Sequence, residues 1–576
     1  MTSNPEQSLK LPSARVYLAC LVSAIAFVAF NWMWADHYGF EFGRTAYVVY
    51  DLCAAFAFYF VFLSQQRVLW KAVVLSNFLL LSVHATGLAK FEILAEMPRF
   101  TDLWAFGALA SAIAWPVLLV VVVVYSAALV AVARNWRFSP AGLGVLAAMV
   151  IGIGISAFNQ TRPVALAESI EHSAPRPAAL HYGHILAFVR DGIGYAGRLS
   201  RMRAVAGDAP AVSELPPVFP DRPIGDLGLR DVHVVVVESL AFPDDIEGFA
   251  FSRSPLSARM AALIGDPERR AFSPVTGGRS PDAEFEVLCG LAALLDWREV
   301  VFNALTARQA DCLPRKLAGR GWHTLATNPV PGHFFNSEGV YRRIGFIDTA
   351  FAGELDTSDT DGAYLSAAST LDQHLERIMR ARATGVPVFS YVFPSSTHVP
   401  YWRNEEVRPS VTAVEPANVL VAGYANALFY MMQAVETFID RIHAADPSAL
   451  IVIVGDHPPY LGPGLADREA ATLSALAVPF FVLDGASRAL STGRIAHFEI
   501  PALIANLLSA GAPCAGASCL GDPETGERPL PVGGYVFSRA AGAAQYCRDG
   551  ASQDRDCARL MTLKRAHVRK LIEYVK

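Results

Sequence analysis

The chain has 576 residues, a formal net charge of -5 and a positive mean hydropathy of +0.32. Its length exceeds one ordinary domain, and the small net charge with no Lys/Arg block argues against a nucleic-acid partner. The positive hydropathy hides a division: nearly all long apolar runs lie before about residue 158, and the remainder has the mixed composition of a water-facing α/β protein.

A helix that crosses about 30 Å of hydrocarbon needs roughly 20 apolar residues. Five segments qualify, at about 16–35, 46–64, 68–88, 103–133 and 141–158. The fourth reads as one tilted helix with a kink at Pro116, because two spans would need roughly 40 residues. Phe30, Trp32 and Trp34 stand where a cleavable signal needs small residues, so the first run reads as an anchor. Lys10 and Arg15 precede the first span, Arg67 and Lys71 flank the second loop, and Arg134 and Arg137 occupy the fourth, whereas the other two loops are mixed in sign. The positive-inside rule places the N-terminus in the cytoplasm and, with an odd number of spans, everything after Phe158 outside.

Cysteine usage agrees. Cys20 and Cys53 fall within spans, and the other six, Cys289, Cys312, Cys514, Cys519, Cys547 and Cys557, fall in the outer portion. An even number in an oxidising compartment predicts disulfides between close partners, Cys514–Cys519 and Cys547–Cys557 among them.

The expected organisation is a five-helix transmembrane domain over 1–158, a juxtamembrane connector over 159–230 and an extracytoplasmic catalytic domain with a Cys-containing tail over 231–576. The connector has helical periodicity over 181–205, followed by proline punctuation. In the outer domain, β-branched runs at 232–237, 386–393, 450–454 and 478–483 read as strands buried on both faces. Helical patterns at 364–384 and 421–444 lie between them. Such alternation predicts an α/β domain with a mostly parallel central sheet, whose ligand site lies beyond the carboxyl ends of its strands.

Two strand ends carry chemistry. Val-Val-Val-Val-Glu-Ser puts Glu238 at one, and Ile-Val-Ile-Val-Gly-Asp-His-Pro puts Asp456 and His457 at the other. Carboxylates and an imidazole converging on one sheet edge suit a divalent metal ion, Zn²⁺ or Mn²⁺. Either strand end alone also reads as an ordinary strand-end acid or a helix cap. Ser280 follows the glycine pair in Thr-Gly-Gly-Arg-Ser-Pro-Asp-Ala-Glu-Phe-Glu, residues 276–286. Its hydroxyl suits a metal-activated nucleophile, although the composition is equally that of a solvated turn.

Taken together, these residues resemble the lipoteichoic acid synthase and periplasmic glucan phosphoglycerol transferase family, within the alkaline phosphatase/sulfatase superfamily. The resemblance extends to the five-span layout and to the loop Lys90-Phe-Glu-Ile-Leu-Ala-Glu-Met-Pro-Arg-Phe-Thr-Asp-Leu. It implies that Glu238, Asp456 and His457 hold the metal with Ser280 as fourth ligand and nucleophile. His398, in Thr-His-Val-Pro-Tyr, matches a histidine that contacts substrate. The stretch 332–346 corresponds to the segment lining the head-group pocket and offers His333, Phe335 and Ser337, although for His333 a surface role is the more ordinary reading. Two departures stand out: serine replaces the family's more usual threonine, and Phe335 and Ser337 stand where lipoteichoic acid synthases carry Trp and Arg.

The implied protein is a multi-pass enzyme of the bacterial inner membrane that moves phosphoglycerol from phosphatidylglycerol to an envelope glycan or lipid through a phosphoserine intermediate. Phosphoethanolamine transfer from phosphatidylethanolamine is the alternative on the same fold. A sulfatase needs Cys/Ser-x-Pro-x-Arg, which Ser280-Pro-Asp-Ala-Glu does not supply, and a hydrolase of phosphatase type needs a richer metal set. A membrane sensor with a decayed site conflicts with the presence of all four metal-site groups.

Overall fold

The computed structural model describes most of residues 229–508, with short stretches inside 17–29, 530–546 and 569–574. The described residues at 17–29 are helical. The five expected spans otherwise lie outside the described residues, as do the connector and the cysteines at 514, 519, 547 and 557. Among the described residues no helix is long and apolar enough to cross a membrane.

Strand β1, Val232–Val237, is buried at every position, as is β6, Leu450–Gly455. A strand covered on both faces cannot alternate polar with apolar residues, which is why both read as continuous runs of branched side chains. Each such buried side chain contributes roughly 1.5–3 kcal/mol relative to exposure. The other strands are β2 (Arg270–Phe272), β3 (His323–Thr327), β4 (Asp348–Ala350), β5 (Val388–Val392), β7 (Ala477–Asp484), β8 (Ala489–Leu490) and β9 (Ile495–Ala496). They form one sheet in the order β9-β2-β7-β6-β1-β5-β3-β4, with β8 paired to β7.

The centre of the sheet is parallel: β1 pairs with β6 and β5, and β3 pairs with β5 and β4. Strand β7 runs antiparallel to β6, β8 and β2, so the sheet is mixed.

Helices cover both faces. On one, Val232, Val234 and Val236 share a core with Phe285 and Leu288 of α1 (Ser280–Cys289) and with Leu503, Ile504 and Leu508 of α5 (Ile500–Leu508). Tyr341 of α2 (Ser337–Ile344) joins the same core. On the other face, His233 meets Phe438 of α4 (Val419–Ala445), and His374 of α3 (Ala367–Arg382) bonds Ser390 of β5. Ser366 and Asn418 cap α3 and α4 by accepting from backbone N–H groups two residues inside each helix. Cys289, at the end of α1, is disulfide-bonded to Cys312.

Candidate active site

The register of the two central strands builds the site. Val237 of β1 lies opposite Gly455 of β6 in a parallel pair, so the next residues, Glu238 and Asp456, emerge side by side. Gly455 permits the packing: a Cβ there would stand 2.9 Å from Leu240 Cβ and 3.0 Å from Val478 Cβ. Strand β5 delivers a third segment, 394–398. Glu238 N–H donates to Pro394 O at 3.3 Å, and the Thr397 hydroxyl donates to Glu238 O at 2.5 Å.

Glu238, Asp456 and His457 offer ligand atoms that lie within 4.8 Å of one another, and all three residues are buried. His457 Nε2 is 3.3 Å from Asp456 Oδ2 and 3.6 Å from Glu238 Oε1. The ring's other nitrogen, Nδ1, faces Pro458 O at 3.0 Å. A carbonyl only accepts, so Nδ1 carries the proton and the Nε2 lone pair turns toward the carboxylates, the tautomer a metal ligand requires. Asp456 Oδ1 accepts from the backbone N–H groups of Ser239 (2.6 Å) and His457 (2.7 Å). Its Oδ2 is buried and, among the described residues, accepts no hydrogen bond. Burial, with the neighbouring Glu238 carboxylate second, pushes Asp456 up to about 7, and burial raises Glu238 as well. Two carboxylates withdrawn from water beside an orphaned oxygen call for a positive charge, and the donor set fits a divalent cation.

Ser280 joins this cluster. It is the first residue of α1, and its Oγ stands 3.4 Å from Glu238 Oε2 and 3.4 Å from His457 Nε2. At a helix N-terminus the backbone N–H groups and the helix dipole favour an anion, so a phosphate approaching Ser280 meets a favourable field. Arg279 and Asp282, both buried, form an ion pair at 2.5 Å around this first turn, and Asp282 Oδ1 accepts from Val301 N–H at 2.8 Å.

His398 lies in the β5 segment. Its Nδ1 is 2.6 Å from Val399 O and 2.9 Å from the Tyr364 hydroxyl, and its ring stacks on Tyr364 with centroids 4.9 Å apart. The Val399 carbonyl fixes the proton on Nδ1, leaving the Nε2 lone pair available. Burial lowers its pKa to about 4, so the ring is neutral at ordinary pH.

The remaining expected residues fall differently. Ser337 is buried with its hydroxyl donated to Phe334 O at 2.7 Å, and Phe335 packs against the core with φ 47°. Neither is drawn into the cluster of Glu238, Ser280, Asp456 and His457. His333 lies outside the described residues.

Several contributors escape a reading of the sequence. Ser239 has φ 52°, an uncommon conformation for a non-glycine residue, and donates its hydroxyl to Glu238 Oε1 at 2.6 Å. Tyr424 of α4 donates to Ser239 O and accepts from Ala241 N–H, both at 2.8 Å, which holds the loop after β1. Ser273 donates to Asp456 O at 2.6 Å.

Comparison with known proteins agrees with this architecture. Residues 230–510 match the family model described as Sulfatase. No curated protein matches the chain. Among solved structures, the integral membrane lipooligosaccharide phosphoethanolamine transferase A (EptA) of Neisseria meningitidis is similar over 87% of this chain and 96% of its own, with 15% identity and a TM-score of 0.50. The lipoteichoic acid synthase LtaP of Listeria monocytogenes aligns over 65% of this chain and 98% of its own, with 16% identity and a TM-score of 0.48. The phosphoglycerol transferase GacH of Streptococcus pyogenes aligns over 65% and 91%, with 16% identity and a TM-score of 0.43. Residues 230–510 thus form a domain similar to the family described as Sulfatase.

Proposed function

We propose that this chain is a metal-dependent transferase that moves phosphoglycerol from phosphatidylglycerol to a glycan or lipid of the bacterial envelope. The observation that carries the reading is the placement of Ser280 Oγ 3.4 Å from both Glu238 and His457 at the start of a helix. A hydroxyl so placed suits nucleophilic attack on phosphorus better than a structural role.

Glu238, Asp456 and His457 would hold the cation, Zn²⁺ or Mn²⁺, with Ser280 beside it; when bound, it supplies charge that acidifies the serine hydroxyl and offsets the phosphate. Ser280 Oγ attacks the phosphodiester, the bond to the diacylglycerol oxygen breaks, and the proton lost by Ser280 passes to that departing oxygen. The phosphoglyceryl group stays on Ser280. In the second step, His398 Nε2 takes the proton of the acceptor hydroxyl, whose oxygen attacks phosphorus; the bond to Ser280 Oγ breaks, and that oxygen recovers the proton from His398. In this reading the catalytic domain faces the extracytoplasmic side of the inner membrane, and the expected spans at 16–158 bring it to its donor in the bilayer.

Phosphoethanolamine transfer is the second reading. It is favoured by Ser337, which is buried, engages its hydroxyl internally and offers no guanidinium to a second phosphate. The test supplies the purified full chain with phosphatidylglycerol or phosphatidylethanolamine and follows diacylglycerol. Release from phosphatidylglycerol, stopped by a chelator and restored by Mn²⁺ or Zn²⁺, is expected. Release from phosphatidylethanolamine alone would sink the preferred donor.

A further inference from the structure

The acceptor in this reaction is recognised by something, and an aromatic plate stands next to the residue assigned to take its proton. Trp402 follows His398 by four residues and is 44% exposed. Its neighbour Tyr401 is buried against Tyr424, with ring centroids 5.2 Å apart, and donates its hydroxyl to Tyr460 O at 2.5 Å. Tyr401 adopts φ 66°, and its N–H donates to His398 O at 2.9 Å. A bulky residue in the left-handed region costs about 1–3 kcal/mol, and such strain gathers where a side chain must be aimed. Here the turn buries Tyr401 and sends the next side chain outward.

The indole is also seated from below. It rests on Gly362, where a Cβ would stand 2.7 Å from Trp402 Cβ and 2.7 Å from its Cε3. Gly362 lies in the turn of a small hairpin, Thr360–Asp361 paired with Tyr364–Leu365, and takes φ 66°. Tyr364 of that hairpin is the ring stacked on His398. One hairpin therefore fixes both His398 and Trp402, the first through Tyr364 and the second through Gly362.

We propose that Trp402 is the floor of the acceptor subsite and that it takes a neutral sugar ring. The electron-rich face of an indole attracts the polarised C–H bonds on the flat side of a pyranose whose hydroxyls are equatorial. The hairpin that seats the indole through Gly362 also holds His398 through Tyr364, which puts such a ring on the same hairpin as the proposed base. The surroundings favour a sugar over an anionic bilayer: Glu405 and Glu406, three and four residues on in the same loop, are exposed, and Arg403, whose side chain is nearly buried, is paired with Glu405 at 3.1 Å. The acidic rim repels an anionic leaflet and leaves a neutral ring indifferent.

This inference rests on the transferase reading for its meaning, but its test does not need turnover. The full chain carrying Ser280→Ala is titrated calorimetrically with cellotriose, alone and in combination with Trp402→Ala or Trp402→Tyr. Trp402→Ala should weaken binding at least tenfold, and Trp402→Tyr should hold it within about threefold, with the thermal midpoint of each variant confirming its fold. Undiminished binding by the Trp402→Ala protein, or no binding by any of them, overturns the proposal. Loss of attachment to phosphatidylglycerol vesicles in its place would assign the indole to the bilayer and equally overturn it. Wild-type protein that binds cellotriose yet releases no diacylglycerol from either phospholipid would contradict the transferase reading and leave the sugar site intact.

Discussion

Glu284 sits one helical turn past Ser280 on α1, buried, with its Oε2 accepting from the hydroxyls of Tyr341 and Tyr391, the latter at 2.8 Å. Asn328 Nδ2 donates to the Tyr341 oxygen at 3.0 Å. Burial pushes Glu284 up to about 7, with the two tyrosine hydrogen bonds pulling the other way. Because Tyr341 belongs to α2 and Tyr391 to β5, this carboxyl group pins the helix that carries Ser280 to both, as a positioning residue. Glu284→Gln retains an acceptor oxygen and should keep kcat within a few fold. Glu284→Ala strands two buried hydroxyls, at a cost of about 1–3 kcal/mol each, and should lower kcat with little change in KM. An alanine variant with wild-type kcat would remove Glu284 from that role. Glu238, Ser280, Asp456 and His457 were legible because each stands at a strand end or after a glycine pair, where only a few polar residues compete. Ser239 and Tyr424 were not: their bond joins residues 185 apart, and nothing local in either marks it. Ser337 misled in another way, since a serine that closes its own helical turn looks the same in sequence as one facing a ligand.

At the scale of elements, β1 and β6 begin where the runs of branched residues begin, and α4 extends the expected 421–444 by a few residues at its ends. The direction of β7 was not legible. A run buried on both faces has the same composition whichever way it runs, and only its pairing with β6 shows it to be antiparallel. The disulfide also needed the fold. An even number of outer cysteines predicts bonding, but α1 and the chain leading to Cys312 must pack before Cys289 and its partner, 23 residues apart, are neighbours. Closing a loop of this length stabilises a domain by about 2–4 kcal/mol. The double substitution Cys289→Ala with Cys312→Ala should therefore lower unfolding stability by that amount in denaturant titration. An unchanged midpoint would show that the bond closes a loop already ordered without it.

For the whole molecule, the domain that matches the Sulfatase model carries the candidate site, and the apolar N-terminal 158 residues are expected to supply access to a phospholipid. The catalytic half was legible because its sheet places chemistry at strand ends in a fixed order along the chain. The head group was not, because the segment the resemblance points to, 332–346, carries Phe335 and Ser337, and neither joins the cluster of Glu238, Ser280, Asp456 and His457. The account stands or falls on one covalent bond. Full-length protein is incubated with phosphatidylglycerol in the absence of acceptor, quenched in acid, digested and analysed by mass spectrometry of the peptide containing Ser280. A phosphoglyceryl adduct is expected on Ser280; it should disappear on addition of acceptor and never form in Ser280→Ala, which should also release no diacylglycerol. Diacylglycerol released at the wild-type rate by Ser280→Ala, with no adduct on the wild-type serine, would contradict it.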